Sequence, residues 1–294
     1  MSRHADPAVR RSFTHAGAAL ALAGLLSACA GVSADLVPSR AQQQAVVNNE
    51  RAARLLARGD LPAARQAYIV ALASAQAVQD PALEAAALLN LTLVQARLGD
   101  TVAAHQAVDQ ILDAPLRFES GVQARAAARK ALLRLDQRAD ADALRWAERA
   151  SERCASPCGL AAALDTVRGQ VAFSQGDTAG ADLMARRAIA AASASAQEAE
   201  EAGALRLLAR VQMRLGETGA AAEALARALA IDLRLGQPDR LALDLYYAAE
   251  NEDRRGNPAL AAQLYLRALA VYEASGDARN ADALRQRLAA RPAP

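Results

Sequence analysis

Small and branched apolar residues recur at fixed distances along most of the chain. In the segment from Gly216 to Gly236, Ala221 and Ala228 stand five and twelve residues after the first glycine, and Leu229 follows directly. Because the two alanines fall on one stripe of an α-helix, their small side chains let a neighbouring helix approach closely. The pattern therefore predicts a helix that packs tightly against its neighbours.

The same spacing starts at six points of the chain, which are 38 to 40 residues apart. A fixed period of this length is the sequence signature of stacked structural repeats. Most of the starting residues are glycines, which readily adopt the left-handed conformation that ends one helix before the next begins. The sequence thus predicts six helix hairpins. The spacing starts in the turn between the two helices of each hairpin, at Gly59, Gly99, Arg138, Gly176, Gly216 and Gly256.

Two pairs of residues mark helix starts most clearly, namely Asn257 with Pro258 and Asp80 with Pro81. Each pair combines a side chain that can accept hydrogen bonds from free backbone N–H groups with a proline, which has no N–H group to satisfy. We therefore expect a helix to begin at each proline and to be capped by the side chain before it.

The repeat resembles the tetratricopeptide repeat, in its longer variety of about forty residues, over residues 41–290. The resemblance rests on the spacing of glycines and alanines and on pairs of large and small residues in the preceding helix, such as Leu208 and Ala209. It implies an all-α fold, a right-handed superhelical solenoid of about six hairpins with a C-terminal capping helix. The expected hairpins cover residues 42–78, 81–113, 118–153, 159–194, 196–235 and 238–274, and the expected capping helix covers residues 277–290.

Residues 1–28 have the organisation of a secretory signal peptide. A basic start with Arg3, Arg10 and Arg11 precedes a short apolar run over residues 16–28. The run is shorter than the roughly 20 apolar residues that a membrane-spanning helix needs. We therefore expect export by the ordinary secretory route, and the adjacent arginines leave a twin-arginine route as the alternative.

Residues 26–29, which read LSAC, resemble the bacterial lipobox, in which the cysteine receives a diacylglycerol before the signal peptide is cut off in front of it. The resemblance implies lipidation at Cys29, with acyl chains that anchor the protein stably to a membrane. Ala30 stands where an aspartate would retain such a lipoprotein at the inner membrane. The expected location is therefore the outer membrane, with the protein facing the periplasm and residues 29–40 forming a lipidated tether.

Hydrophobic residues make up 53% of the chain and aromatic residues only 3%, which is typical of an alanine-rich helical protein. Lys and Arg together number 34, and Asp and Glu together number 32. Removal of the signal peptide takes away its three arginines and Asp6, which leaves the two signs in balance. General electrostatic attraction to nucleic acid is therefore not expected.

Few residues of the mature chain suggest chemistry. His105 is its only histidine, which argues against a histidine-based metal site or a catalytic triad. We expect no catalytic residue, no metal and no cofactor. Cys154 and Cys158 flank the join between the third and fourth hairpins, and in an oxidising periplasm they are expected to form a structural disulfide. A redox centre made of the same two cysteines is the alternative.

In tetratricopeptide proteins, the first helix of each hairpin lines a concave groove that holds a peptide or a partner helix. Arg206, Arg210 and Arg214 are spaced four apart and are expected to form one basic stripe in this groove. The alternative for each is a solvated arginine paired with local carboxylates. The groove positions that the resemblance implies are Asn49, Glu50, Asn90, Arg97, Arg125, Arg129, Gln170, Arg206, Arg210, Arg214, Tyr246, Tyr247 and Glu250.

The sequence as a whole favours a lipid-anchored periplasmic protein that binds a protein or peptide partner in its groove. The expected role is that of an adaptor in envelope assembly or secretion, without enzyme activity of its own. A redox or enzyme accessory centred on Cys154 and Cys158, and a passive structural spacer, are the two alternatives.

Overall fold

The structure is a computed structural model that describes residues 39–291. The predicted signal peptide and most of the predicted tether, including Cys29, lie outside the described residues. All regular secondary structure in the described range is α-helical. Its helices are α1 (Arg40–Ala57), α2 (Leu61–Ala77), α3 (Pro81–Arg97), α4 (Thr101–Leu112), α5 (Ser120–Asp136), α6 (Asp140–Arg153), α7 (Ala161–Ser174), α8 (Thr178–Ala194), α9 (Glu198–Leu215), α10 (Thr218–Leu235), α11 (Pro238–Arg254), α12 (Pro258–Ala274) and α13 (Ala278–Ala289).

The helices form the six predicted hairpins. Each odd-numbered helix from α1 to α11 packs against the even-numbered helix that follows it, and α13 packs on α12 as the predicted capping helix. The predicted boundaries of the hairpins and of the capping helix agree with the observed helices to within two residues. The predicted all-α superhelical solenoid is therefore confirmed.

Contacts between successive hairpins place the odd-numbered helices in an inner layer. Each odd-numbered helix from α1 to α9 contacts the next odd-numbered helix, whereas within residues 39–291 no even-numbered helix contacts the next even-numbered one. The helices of the inner layer therefore lie closer together, and the stack curves with this layer on its concave side. We call the surface formed by α1, α3, α5, α7, α9 and α11 the concave face.

The predicted alanine stripe lies at the contacts between helices. The first alanine of each repeat has 0% of its surface exposed. In the second repeat, buried Ile111 takes the place of the second alanine. Larger buried side chains such as Tyr68 and Tyr265 complete a core that runs as a ribbon between the hairpins. The first alanines are Ala64, Ala104, Ala143, Ala181, Ala221 and Ala261.

Helix starts follow the sequence signals only in part. The carboxylate of Asp80 accepts hydrogen bonds from two backbone N–H groups at the start of α3, at 3.0 and 3.1 Å, as predicted. Asn257 precedes the predicted start at Pro258, but its side chain makes no cap hydrogen bond. Its amide instead donates to Glu252 at 2.7 Å. The predicted side-chain cap of α12 is therefore wrong, because a nearby carboxylate holds the asparagine in another orientation.

The residue that starts each repeat adopts the predicted left-handed conformation. The glycines at these positions have φ between +77° and +83°, and Arg138 has φ +59°. Gln79 and Ala196 hold the same conformation in turns between hairpins, with φ +54° and +52°. Because a Cβ atom strains this conformation by about 1 to 2 kcal/mol, these three turns are strained in a way that the glycine turns are not.

Exchanges of alanine and glycine at two turns are expected to change stability in opposite directions. At Gly99, an added Cβ atom would meet no other atom within 4 Å, so Gly99→Ala tests backbone strain alone. It should lower the free energy of unfolding by about 0.5 to 1 kcal/mol. Ala196→Gly should raise it by up to about 1 kcal/mol, because relief of strain outweighs the greater entropy of glycine in the unfolded chain. Urea unfolding measures both changes.

The matched control is Ala190→Gly, at an exposed position inside α8. There, the same substitution should lower the free energy of unfolding by about 1 kcal/mol, because glycine is a poor helix former. An equal loss of stability at Ala196 and at Ala190 would contradict the assignment of strain to the turn.

Candidate functional site

All residues that the sequence places in the groove lie on helices of the concave face. Most of these residues belong to one of three groups. The first is a group of charged side chains between α3, α5 and α11, the second lines a pocket between α7, α9 and α11, and the third is a buried cluster between α9, α10 and α11. The predicted residues are Asn49 and Glu50 on α1, Asn90 and Arg97 on α3, Arg125 and Arg129 on α5, Gln170 on α7, Arg206, Arg210 and Arg214 on α9, and Tyr246, Tyr247 and Glu250 on α11.

Charged side chains from distant hairpins meet on the concave face between α3, α5 and α11. The guanidinium of Arg97 on α3 forms an ion pair with the carboxylate of Asp239 at the start of α11. Burial lowers the pKa of the Arg129 guanidinium on α5, and repulsion from Arg240 on α11 lowers it further. The three helices therefore border one space.

Several guanidinium groups in this part of the concave face have no carboxylate within ion-pair distance, although the charge of Glu200 on α9 acts on Arg129 and Arg240. Arg125 and Arg129 form no ion pair and no hydrogen bond with other described residues. Arg240 donates to the backbone carbonyl of Ala199 at 2.7 Å, and its pKa is lowered first by burial and then by repulsion from Arg206. A partner that supplies carboxylates would be attracted to this surface.

A pocket of about 390 Å³ lies where α7, α9 and α11 meet. It opens on the concave face, because its lining comes only from odd-numbered helices. Five predicted groove residues line it together with three residues that the sequence did not indicate. The lining residues are Arg210, Arg214, Tyr246, Tyr247 and Glu250, which were predicted, and Phe173, Met213 and Arg254, which were not.

Guanidinium groups and aromatic rings are stacked in this pocket. The guanidinium carbon of Arg210 lies 4.5 Å from the centroid of the Phe173 ring and 5.4 Å from that of Tyr247. Arg214 lies 3.6 Å from the Phe173 centroid and donates to the Phe173 carbonyl oxygen at 2.7 Å. Such contacts are worth roughly 0.5 to 2 kcal/mol each. They orient Arg210, whose N–H groups have no hydrogen-bond acceptor within residues 39–291.

The capping helix holds one side of the pocket in place through Arg287. This guanidinium donates to Glu250 at 2.8 Å and also to the Tyr246 hydroxyl, which itself donates to Glu250 at 3.2 Å. The Tyr246 ring packs edge-on against Tyr247, with centroids 5.5 Å apart. Burial raises the pKa of the Tyr246 hydroxyl, and the charge of Glu250 raises it further. The phenol therefore stays protonated at neutral pH and keeps this network together.

The buried cluster corrects the predicted basic stripe. Arg206 has only 6% of its surface exposed, and its Nη1 donates to Asp232 on α10 and, at 2.9 Å, to Asp244 on α11. The prediction that Arg206 contacts a partner is therefore wrong, whereas Arg210 and Arg214 do reach the pocket. Helix geometry permits this difference, because each step of four residues turns by about 40° and sets Arg206 and Arg214 about 80° apart, and the two carboxylates hold Arg206 in the interior.

Two carboxylates share the Arg206 guanidinium in the interior. Asp232 and Asp244 are both 0% exposed, and Oδ1 of Asp232 and Oδ2 of Asp244 have no hydrogen-bond donor among the described residues. Burial raises the pKa of Asp244 to about 7, against the attraction of Arg206. A proton held by Asp244 leaves one negative charge for one guanidinium, which avoids an unpaired buried carboxylate.

The remaining predicted groove residues make few interactions. Asn49, Asn90 and Gln170 are half-buried and form no side-chain hydrogen bond with other described residues. The Asn49 Oδ1 atom is fully buried without a donor. Glu50 is exposed and pairs with Arg54 one turn later, at 3.7 Å. Partner contact at these positions stays a prediction.

The cysteine pair lies elsewhere, in the connection between α6 and α7. Cys154 and Cys158 are joined by a disulfide, with their Cα atoms 5.3 Å apart, as the sequence predicts. His105 on α4 is half-buried beside Gln137, with Nε2 and Oε1 3.3 Å apart, and its pKa is lowered first by burial. Within the described part of the chain, no group of three or more His, Cys, Asp or Glu residues could hold a metal ion. Neither the disulfide nor His105 lines the pocket.

An alignment of the repeats on their starting residues contains the signal for the pocket residues that were missed. Arg254 stands two residues before Gly256, as Arg214 stands two before the preceding start. Phe173 and Met213 each stand three residues before a start. Because equivalent positions of neighbouring repeats line the same strip of the concave face, these residues converge with Arg214.

Known protein families and curated protein sequences give no match to this chain. Solved structures do match it in fold. The Cut9–Hcn1 hetero-tetramer of the APC/C gives a TM-score of 0.60 at 16% identity, over 83% of this chain and 42% of the matched chain, so this chain spans less than half of that protein.

Two further structures have a similar fold. A Rap protein complexed with Competence and Sporulation Factor gives a TM-score of 0.56 at 12% identity, over 80% of this chain and 67% of its own. PilW, a type IV pilus biogenesis factor, gives 0.51 at 17% identity, over 81% of this chain and 98% of its own. At these identities, the likeness shows the fold, which is that of a tetratricopeptide-like superhelical solenoid.

Asp244→Asn is expected to remove part of the pH dependence of stability. The folded-state pKa of Asp244 is about 7, and an aspartate in an unfolded chain has a pKa of about 4. The folded protein thus keeps a proton that the unfolded chain releases between these values. Wild-type stability should therefore fall as pH rises through this window, by up to about 4 kcal/mol from this group. The variant should gain stability relative to wild type over the same range, measured by urea unfolding.

The control for this prediction is Glu223→Gln on α10, at an exposed position without an ion pair. It should keep the wild-type dependence on pH. The charged groups that interact electrostatically with Asp244 are Arg206, Asp232 and Arg240. Because they remain in place in Asp244→Asn, parallel curves for this variant and wild type would show that the cluster holds no proton near neutral pH.

Proposed function

We propose that the protein is a binding scaffold that holds a partner polypeptide on its concave face. The observation that carries this proposal is the pocket between α7, α9 and α11, together with arginines of the same face that lack a carboxylate partner. These features concentrate positive charge and aromatic surface on one side of a chain whose net charge is only +2. Such a surface suits a partner segment that carries carboxylates. The role is binding, without catalysis.

Two proteins of similar fold support a binding role. The Rap structure contains Competence and Sporulation Factor, and Cut9 forms a hetero-tetramer with Hcn1. PilW, the third, is a type IV pilus biogenesis factor. By analogy of fold, the proposed role of this chain is that of an adaptor in envelope assembly or secretion.

The proposed place of action is the periplasmic face of the outer membrane, with the protein attached by lipid on Cys29. The support is the sequence LSAC at residues 26–29, directly after a short apolar run. A disulfide between Cys154 and Cys158 suits an oxidising compartment. Within residues 39–291, no helix combines the length and apolarity needed to cross a membrane.

Cys29→Ala is expected to abolish labelling with palmitate and to move the protein from the membrane fraction to the soluble periplasmic fraction. The reason is that the acyl chains on this cysteine are the proposed anchor. Fractionation of cells grown with labelled palmitate measures both changes. A double variant with alanine at Cys154 and Cys158 is the control and should keep label and location. Sedimentation of Cys29→Ala with the outer membrane would refute the lipid anchor.

The proposed binding face can be tested by site-specific photo-cross-linking in the cells that produce the protein. Benzoylphenylalanine replaces Arg125 or Gln170 on the concave face in two variants of the full chain. In two matched variants, it replaces Arg65 on α2 or Arg267 on α12, which are exposed on even-numbered helices. A discrete cross-linked product, identified by mass spectrometry, is expected from the first two positions.

The two outer positions control for random collisions, since they carry the same photoreactive group on the same protein. They should give at most a small fraction of the concave-face product. Equal yields from both faces, or products from the outer positions alone, would place the partner on another surface.

A further inference from the structure

We propose that the pocket between α7, α9 and α11 binds a polypeptide carboxylate that stands beside an apolar or aromatic side chain. This inference rests on the proposed function and names the part of the partner that enters the concave face. The carboxylate would accept two parallel hydrogen bonds from the Arg210 guanidinium, a geometry that arginine favours.

Arg210 is already held in the position that this contact requires. Its guanidinium lies over the rings of Phe173 and Tyr247, at 4.5 and 5.4 Å from their centroids. Ring contacts cover the faces of a planar guanidinium and leave its N–H groups, which lie in the plane, free to donate. No described residue accepts from them. A ligand oxyanion would therefore meet an oriented and unoccupied set of donors, with little side-chain entropy left to lose.

The charges that line the pocket leave a positive excess. Arg214 donates to the carbonyl oxygen of Phe173 at 2.7 Å, and Arg254 donates to that of Met213 at 3.5 Å, but neither contacts a carboxylate of a described residue. Glu250 is the one acidic residue of the lining, and Arg287 on α13 pairs with it at 2.8 Å. Three guanidinium groups thus remain without a countercharge, which attracts an anion.

The same pocket offers apolar surface beside these donors. Met213 is 5% exposed, and the rings of Phe173 and Tyr247 border the guanidinium of Arg210. A volume of about 390 Å³ accommodates one side chain next to a carboxylate. The pocket therefore favours a carboxylate attached to an apolar group.

Small probes test this chemistry on the purified full-length protein by isothermal titration calorimetry. N-acetylphenylalanine, which has a free carboxylate, is expected to bind with a Kd on the order of 1 mM. N-acetylphenylalaninamide has the same ring without the charge and should bind at least tenfold more weakly. N-acetylglutamic acid α-amide reports whether a side-chain carboxylate serves as well as a chain end. Equal affinity for the acid and the amide of phenylalanine would overturn the proposal.

Two variants should shift the affinity for N-acetylphenylalanine in opposite directions. Arg210→Gln removes the central cation and should weaken binding at least tenfold. Glu250→Gln removes the carboxylate that pairs with Arg287, which leaves a fourth guanidinium beside the pocket without a countercharge, and should strengthen binding about two- to fivefold. Arg267→Gln on α12, which removes an exposed and unpaired arginine, is the control and should leave affinity unchanged. Thermal unfolding of each variant verifies its fold, and a Glu250→Gln protein that binds more weakly would also contradict the proposal.

The probe experiment and the cross-linking experiment fail independently. A partner cross-linked to the concave face, with no binding of N-acetylphenylalanine, would refute the pocket assignment and leave the scaffold role intact. Probe binding that depends on Arg210, with no cross-link from Arg125 or Gln170, would support the pocket and refute the scaffold role as proposed.

Discussion

The close contact of two helices at buried alanines is the constraint on which each hairpin depends. Ala64 and its equivalents in the other repeats are completely buried, and a larger side chain there would force the helices apart. Burial of apolar surface stabilises a fold by about 25 cal/mol per Å², and an alanine side chain has little apolar surface to bury. Stability in such an array therefore comes from the number of repeats and from the few large side chains between them, such as Tyr68 and Tyr265.

This constraint explains why the fold could be predicted so fully from the sequence. Close helix contact requires a small residue, and a short turn requires a residue in the left-handed conformation. Both requirements therefore restrict the residue type at a fixed position of each repeat. Arg138 shows that the position matters more than the residue, since it adopts the conformation of a glycine at a cost in strain. The burial of Arg206 could not be predicted in this way. Arg206 is buried because Asp232 and Asp244, on two other helices, pair with its guanidinium. No local pattern contains that pairing.

The lining of the pocket could be predicted only in part. Arg210, Arg214 and the two tyrosines of α11 were predicted, because the first helix of each hairpin faces inwards. The position of Phe173 in its repeat indicates that it lies near the pocket, but an aromatic side chain at the end of an apolar helix fits core packing as well as a binding role. Its role as a partner of Arg210 and Arg214 becomes visible only when α7 and α9 are placed side by side.

Helix α11 connects the three groups of functional interest. Asp239 and Arg240 at its start face the charges of α3 and α5, Asp244 enters the buried cluster, and Tyr247 lines the pocket. Arg240 and Tyr247 are seven residues apart, which corresponds to about 10 Å along a helix. An extended segment of about three residues covers this distance. A partner with a carboxylate in the pocket can therefore reach the unpaired arginines with a second acidic group a few residues away, and the buried cluster between them fixes α9 against α11 so that both contacts are made by one rigid surface.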